Sequence, residues 1–231
     1  MSLDMLDSGD VAHCARMLPA PVKALMEKFG PSLMLGGGFL RATIAGETVS
    51  DIDIFSCSAA KAEEAMTALL AVLKRPNEDV YRTDNALSLS PGKGLRVPIQ
   101  FITRWTFESA EKLVGSFDFT VACAAIYYLN SLNSWFGVCD PRFYRDLAAK
   151  RLVYRSPERN EEAGGSLLRA FKFARRGYKI DLGSIAGLVA RLTSKIEGIE
   201  SLSEARLKDV VRGLLMEVDP NAIDPGIDDA E

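Results

Sequence analysis

The sequence predicts an α/β (α+β) fold with a mixed sheet, followed by a small all-helical segment. Predicted strands and helices alternate up to about Arg155, and from Pro157 onward the pattern changes to helices alone. Such a change indicates two differently built parts. Of the 231 residues, 48% are hydrophobic and 26% are charged, so the chain can build a packed core.

The N-terminal half carries the alternating elements. Residues 1–30 have the apolar positions of helix, and residues 33–35 form a short apolar run typical of a buried strand. A short helix is predicted over 39–45 and an acidic strand over 51–55. Strong helix formers with apolar residues at a 3.6-residue period predict a helix over 59–75.

A hairpin is predicted next, because strands over 86–90 and 95–103 flank the turn signal Pro91-Gly92-Lys93-Gly94. A phosphate-binding loop is the less favoured interpretation of these glycines. The remaining predicted elements are a strand over 80–82, a helix over 107–114, a strand over 135–139, and helices over 143–150, 167–176, 185–195 and 204–218.

These elements suggest four parts of the chain. An N-terminal helical segment covers residues 1–30, a head domain covers 31–155, and a helical neck covers 156–218. The last part, residues 219–231, carries four aspartates, a glutamate and two prolines. This composition predicts a disordered acidic tail.

Composition excludes several classes of protein. His13 is the only histidine, which excludes a zinc site built on two histidines. The four cysteines lack metal-ligand spacing and are interpreted as reduced thiols. With neither a signal peptide nor an apolar run long enough to span a membrane, a cytoplasmic protein with no membrane partner is expected. The net charge of −3 argues against broad coating of nucleic acid, although a local basic groove is compatible with it.

The most informative stretch is Gly36-Gly37-Gly38-Phe39-Leu40-Arg41, followed by Asp51-Ile52-Asp53. Glycines let a backbone approach a phosphate closely, since no Cβ intervenes. Residues at i and i+2 of a strand share a face, so Asp51 and Asp53 would offer two carboxylates side by side. Paired carboxylates hold Mg²⁺ together with substrate phosphates, which points to phosphoryl or nucleotidyl transfer. The alternative is an ordinary strand–turn–helix with a solvent-exposed acidic strand.

The same stretch resembles the head domain of class II CCA-adding enzymes and bacterial poly(A) polymerases, which belong to the DNA polymerase β-like nucleotidyltransferase superfamily. Residues that fall in register with the family pattern are Gly37, Gly38, Leu40, Arg41, Gly46, Asp51 and Asp53. The resemblance implies that Asp51 and Asp53 are catalytic metal ligands. It also implies that Gly37, Gly38 and Arg41 bind the nucleotide phosphates.

Further matches extend to about Lys179. Asp118-Phe119-Thr120, Asp140-Pro141 and Asp146-Leu147 match family motifs, as does the segment 168–174. The resemblance implies that Asp118 positions the sugar or the neck helix. Arg169, Lys172, Arg175 and Arg176 would share one helical face, and the first two fall where the family contacts its nucleotide. This face would hold a triphosphate or track RNA, or else it is a solvated charged surface.

The chain also departs from the family pattern. The aspartate and arginine that choose the incoming base are replaced by Ala163 and Ser166, and 231 residues leave no room for the tRNA-gripping domains. These departures argue against CCA addition. Many members of the superfamily place a third carboxylate on a neighbouring strand, where Gln100 stands here. If that register is misplaced, one of three other acids supplies the carboxylate: Glu78, Asp79 or Asp84.

The resemblance implies a Mg²⁺- or Mn²⁺-dependent nucleotidyltransferase that moves a nucleoside monophosphate from an NTP to an acceptor hydroxyl, with an RNA 3′ end as the favoured acceptor. Two alternatives stay open. One is a catalytically degenerate binding module of the same fold, and the other is an enzyme that nucleotidylates a protein or a small molecule. The sequence alone names neither the acceptor nor the preferred base.

Overall fold

The computed structural model describes residues 2–92, 94–155, 157, 163–194, 196 and 198–218. The predicted tail, 219–231, and Lys93 of the predicted turn lie outside the described residues. The described chain forms two compact units, divided between Ala148 and Ala149.

The first unit alternates strands and helices along the chain. Its strands are β1 (Asp4–Met5), β2 (Leu33–Gly36), β3 (Ile52–Ser56), β4 (Val80–Arg82), β5 (Ala86–Leu89), β6 (Ile99–Ile102), β7 (Ala124–Leu129) and β8 (Ser134–Cys139). Its helices are α1 (Ser8–Met17), α2 (Ala20–Phe29), α3 (Gly38–Ala45), α4 (Ala59–Leu73), α5 (Ala110–Ser116) and α6 (Phe143–Ala148).

These strands form one mixed sheet in the order β1-β8-β7-β2-β3-β6-β5-β4. Within the described sheet, β3 and β6 run parallel, and the other neighbouring strands pair antiparallel. The predicted hairpin forms between β5 and β6. A parallel pair needs a crossover connection, which α4 and the two strands after it supply.

The predicted N-terminal helical segment is divided into α1 and α2. Helix α1 begins after Asp7, whose carboxylate accepts hydrogen bonds from the Gly9 and Asp10 N–H groups at 2.8 and 3.3 Å. The chain turns at Leu18 and Pro19, because proline disfavours helix at the residue before it and is suited to a helix start.

Helices cover the two halves of the sheet on different faces. Helix α4 packs on β3, β5 and β6, whereas α5 packs on β2, β7 and β8. The cluster beneath α5 includes Met34, Phe55 and Phe117, and the rings of Phe55 and Phe117 meet edge to face at 5.8 Å. The core therefore has a helix layer on each side of the central strands.

The second unit is mainly helical. It contains α7 (Ala163–Arg175), α8 (Leu182–Thr193) and α9 (Glu204–Val218). A short parallel pair, β9 (Arg151–Leu152) with β10 (Lys179–Ile180), was not predicted from the sequence. Two-residue strands leave little periodicity to detect. None of the described helices combines the length and the apolar character needed to span a membrane.

Candidate active site

The glycine stretch forms the turn between β2 and α3. Gly37 has a φ of +69°, a conformation that L-residues with a side chain rarely adopt. A Cβ on Gly36 would lie 2.9 Å from Cζ of Phe117, so the ring packs directly against the turn. A Cβ on Gly38 would meet nothing within 4 Å. The turn thus needs glycine at 36 and 37 for the fold, while Gly38 faces open space.

Helix α3 starts at this turn and presents its first backbone N–H groups there. The Gly37 N–H donates to the Ala124 carbonyl at 3.2 Å, so it is used within the sheet. The first helical hydrogen bond runs from the Arg41 N–H to the Gly37 carbonyl. An anion at this end would therefore be bound by N–H groups that follow Gly37.

The two aspartates lie where β3 begins. Asp51 immediately precedes the strand and accepts a 2.6 Å hydrogen bond from the Ser50 hydroxyl. Asp53 is the second residue of β3, and its Oδ1 is buried without a hydrogen-bond partner. Burial and, to a lesser extent, the nearby charge of Asp51 together raise the pKa of Asp53 to about 7. Two carboxylates held together in this way form a site that favours a cation.

Gln100 lies beside Asp53, because the two residues are register partners in the parallel pair β3–β6. Partners in adjacent strands point to the same sheet face. The Gln100 side chain is partly buried, and an amide oxygen at this position adds a ligand without adding charge.

Within the part of the chain that the structure describes, no third carboxylate joins the two aspartates. Among the described residues, no three His, Cys, Asp or Glu side chains are grouped closely enough to hold a metal. Of the alternative acids, Asp79 pairs with Nε of Arg75 at 2.7 Å, and Glu78 precedes the edge strand β4. Asp84 lies between β4 and β5. The donor set at the start of β3 is therefore two carboxylates and one amide.

Arg41 is held inside the first unit. Its side chain is buried at 5% exposure, and its Nε lies 3.4 Å from Oε2 of Glu47. The carboxylate of Glu47 balances the charge of the buried guanidinium. This ion pair therefore helps to hold α3 in place. A role of Arg41 in binding phosphate stays a prediction.

The later family motifs also lie inside the first unit. Asp118 is 3% exposed, and the Thr120 hydroxyl donates to Oδ2 of the fully buried Asp146 at 2.7 Å. Arg142 and Arg145 place Nε atoms 3.3 and 3.6 Å from the Asp146 carboxylate. These contacts hold the segment before β7 against α6, and the predicted action of Asp118 on a sugar is untested.

Residues 15–150 match the model of the Gabija anti-defense 2 family, and this segment is more than half of the chain. The chain belongs to the Gabija anti-defense 2 family. The matched segment contains the glycine turn, both aspartates and Gln100. A comparison with curated protein sequences finds no significant match.

Solved structures show which fold this Gabija anti-defense 2 family chain has. A Thermotoga maritima CCA-adding enzyme complexed with tRNA is similar with a TM-score of 0.54 and 20% identity, over 94% of this chain and 55% of that one. A CCA-adding enzyme complexed with ATP is similar with a TM-score of 0.57 and 23% identity, over 95% and 52%. The chain spans little more than half the length of these structures. The matches confirm the predicted fold, which this chain shares with the CCA-adding enzyme structures.

The predicted neck residues of this family member belong to the second unit. Arg169 is partly buried and Lys172 is exposed, and both lie on α7. Ser166, on the same helix, is buried at 4% exposure. The nucleotide-binding roles of Arg169 and Lys172 remain predictions.

Three features of the site were not predicted from the sequence. These are the pairing of Glu47 with Arg41, the support of Asp51 by Ser50, and the packing of Phe117 on the glycine turn. Ser50 immediately precedes Asp51 in the sequence, so this hydrogen bond could have been inferred from the sequence. The other two depend on tertiary packing, which no short sequence pattern reveals.

Proposed function

We propose that the chain is a nucleotidyltransferase that moves a nucleoside monophosphate from an NTP to an acceptor hydroxyl. The acceptor oxygen would bond to the α-phosphorus while the bond to the β-phosphate breaks, and pyrophosphate would leave. The observation that carries this proposal is the environment of Asp53. Its buried Oδ1 has no hydrogen-bond partner, and a second carboxylate, Asp51, lies close enough to raise its pKa. A divalent cation held by both carboxylates would satisfy the orphan oxygen and remove this repulsion.

The residues fit Mg²⁺ or Mn²⁺. Both ions prefer oxygen ligands, and Asp51, Asp53 and the Gln100 amide offer oxygens at one end of β3. When bound, such an ion lowers the pKa of an acceptor hydroxyl and stabilises negative charge on the α-phosphate. Ser50 would orient Asp51 through its 2.6 Å hydrogen bond.

The glycine turn would bind the NTP phosphates. Continuing the β2–β3 register by one residue puts Gly36 opposite Asp53, so the turn starts next to the carboxylates. N–H groups at the start of α3 favour an anion, and Gly38 leaves space for it. The nucleotide-binding roles of Arg169 and Lys172, which belong to the second unit, and the role of Asp118 stay predictions.

The favoured acceptor is an RNA 3′ end. This choice is supported by the fold shared with CCA-adding enzymes, one of them complexed with tRNA. Ordered CCA addition is not proposed, because the buried Ser166 cannot read a base edge as a charged bidentate group would. Weak discrimination among the four NTPs is expected.

The family match favours a second acceptor. A Gabija anti-defense 2 protein would counter a defence named Gabija, and nucleotidylation of a hydroxyl on a protein of that defence would be one way to do so. A further alternative is that the same fold binds a nucleotide or a partner without catalysis. The presence of Gln100 where a third acid would stand supports this alternative.

The test is a transfer assay with each α-labelled NTP, Mg²⁺, and either total RNA or a lysate of cells that carry the Gabija defence. Label in RNA supports the first acceptor, and label in protein supports the second. The Asp51→Asn/Asp53→Asn double variant should transfer no label. Absence of label from both fractions, or equal labelling by the double variant, would refute catalysis at this site.

A further inference from the structure

The sheet carries a row of four side chains that leads away from the carboxylate site. Tyr81 of β4 pairs with Ser88 of β5, Ser88 pairs with Gln100 of β6, and Gln100 pairs with Asp53 of β3. Register partners lie side by side and point to the same face. The row therefore runs across four adjacent strands and joins an exposed aromatic ring to the aspartate.

This row lies on the face opposite α4. Arg82, the neighbour of Tyr81, forms an ion pair with Glu63 of α4, so Tyr81 must point the other way. Helix α5 packs on the other half of the sheet, on β2, β7 and β8. Among the described helices, α4 is the one that packs extensively on β5 and β6. Tyr81 is 69% exposed, and Ser88 and Gln100 are partly buried.

We propose that this row is the binding strip for the 3′-terminal nucleotides of a single-stranded nucleic-acid acceptor. The inference rests on the proposed function, since it takes the Asp53 end as the place where the terminal hydroxyl reacts. Three strand spacings of ~4.8 Å separate Asp53 from Tyr81, a distance of ~14 Å. That is about the length of four nucleotides stacked at ~3.4 Å each.

The chemistry of the row favours a nucleic acid as the occupant. An exposed tyrosine ring stacks on any base, and the amide of Gln100 and the hydroxyl of Ser88 can hydrogen-bond to base edges or ribose hydroxyls. The row holds no carboxylate between Asp53 and Tyr81 that would repel a phosphate. Arg104, just beyond β6, adds a cation, and its guanidinium lies 5.1 Å from the centre of the Trp105 ring.

Binding of 5′-fluorescein-labelled single-stranded RNA, measured by anisotropy without NTP, tests the strip. Tyr81→Ala should weaken binding about 5- to 150-fold, the range that corresponds to ~1–3 kcal/mol for one stacked base. Tyr81→Phe keeps the ring and should bind as the wild type does. Arg82→Gln is the matched control, since it alters the next residue on the other face. Affinity should rise with RNA length and level off at about four to five nucleotides.

The outcomes separate this inference from the proposed function. Equal RNA binding by Tyr81→Ala and the wild type, or no binding by a folded wild type, overturns the strip whatever the transfer assay shows. Tyr81-dependent RNA binding without label transfer supports the strip and refutes the catalytic proposal. A third outcome is that the wild type binds no RNA and Tyr81→Ala no longer labels a protein acceptor. The strip would then bind a protein, and its assignment to a nucleic acid would be wrong. Melting curves of each variant confirm that it is folded.

Discussion

Gln100 lies next to Asp53 on the neighbouring parallel strand and shares its sheet face. In this position an acid would add a third negative charge to the site, whereas the amide adds none. The charge of the site is therefore determined by Asp51 and Asp53 alone among the described residues grouped there.

Gln100→Glu should create a three-acid site. We expect tighter Mg²⁺ binding, measured by isothermal titration, and faster transfer of label, since general-base assistance is typically worth ~10²–10⁴ in rate. Without metal the added charge should lower the melting temperature, and Mg²⁺ should restore it. Gln100→Ala is the control. Robust wild-type turnover that Gln100→Ala leaves unchanged would show that Gln100 does not limit the reaction.

Metal and nucleotide together should stabilise the wild type. A ligand that binds only the native state raises the free energy of unfolding by about 2.7 kcal/mol at a hundredfold excess over its Kd. Thermal melting with Mg²⁺ or Mn²⁺ plus an NTP should show this rise. The Asp51→Ala/Asp53→Ala variant should lose the metal-dependent part, and an unchanged response of this variant would mean that the metal binds elsewhere.

The pKa of Asp53 predicts a pH dependence in metal-free buffer. Since the pKa is about 7 in the folded chain and 3.8 as the ordinary value, the native state holds the proton more tightly. The contribution of Asp53 to stability is thus fully present below about pH 4 and is lost as the pH rises to about 7. Asp53→Asn should therefore gain stability relative to the wild type over this range, measured by urea unfolding in EDTA. A difference that does not vary with pH would contradict the assigned burial.

Substitutions in the glycine turn should distinguish effects on stability from effects on NTP binding. Gly37→Ala should destabilise the chain by about 1–3 kcal/mol, because a φ of 69° with a ψ of −123° is a conformation that residues with a side chain rarely adopt. Gly36→Ala should cost about 1–3 kcal/mol through overpacking against Phe117. Gly38→Ala has space for its Cβ and should keep wild-type stability while it weakens NTP binding, because that methyl would project where the phosphates are proposed to lie. Wild-type NTP affinity in Gly38→Ala would move the phosphates away from the turn.

The local parts of the site could be predicted from the sequence. The glycines before α3 and the acidic start of β3 have short-range signals, and the alternation of Ile99, Gln100 and Phe101 indicates which side chain is polar-facing. The partners of these residues could not be predicted in the same way. That Tyr81 lies in one row with Asp53 follows from three strand registers, each set by tertiary pairing. The pairing of Glu47 with Arg41 depends likewise on how the chain turns after α3.

The pairing of Asp4 in β1 with Cys139 in β8 brings the two ends of the first unit together. Contacts between residues so far apart in the chain form late and make folding slower. The reason is that the entropy of the intervening loop is lost before the contact contributes any stability. During synthesis the N-terminal strand must wait for nearly the whole head to leave the ribosome before its partner exists. The sheet is therefore expected to be completed at its β1 edge last, after β3 and β6 have already brought Asp53 and Gln100 together.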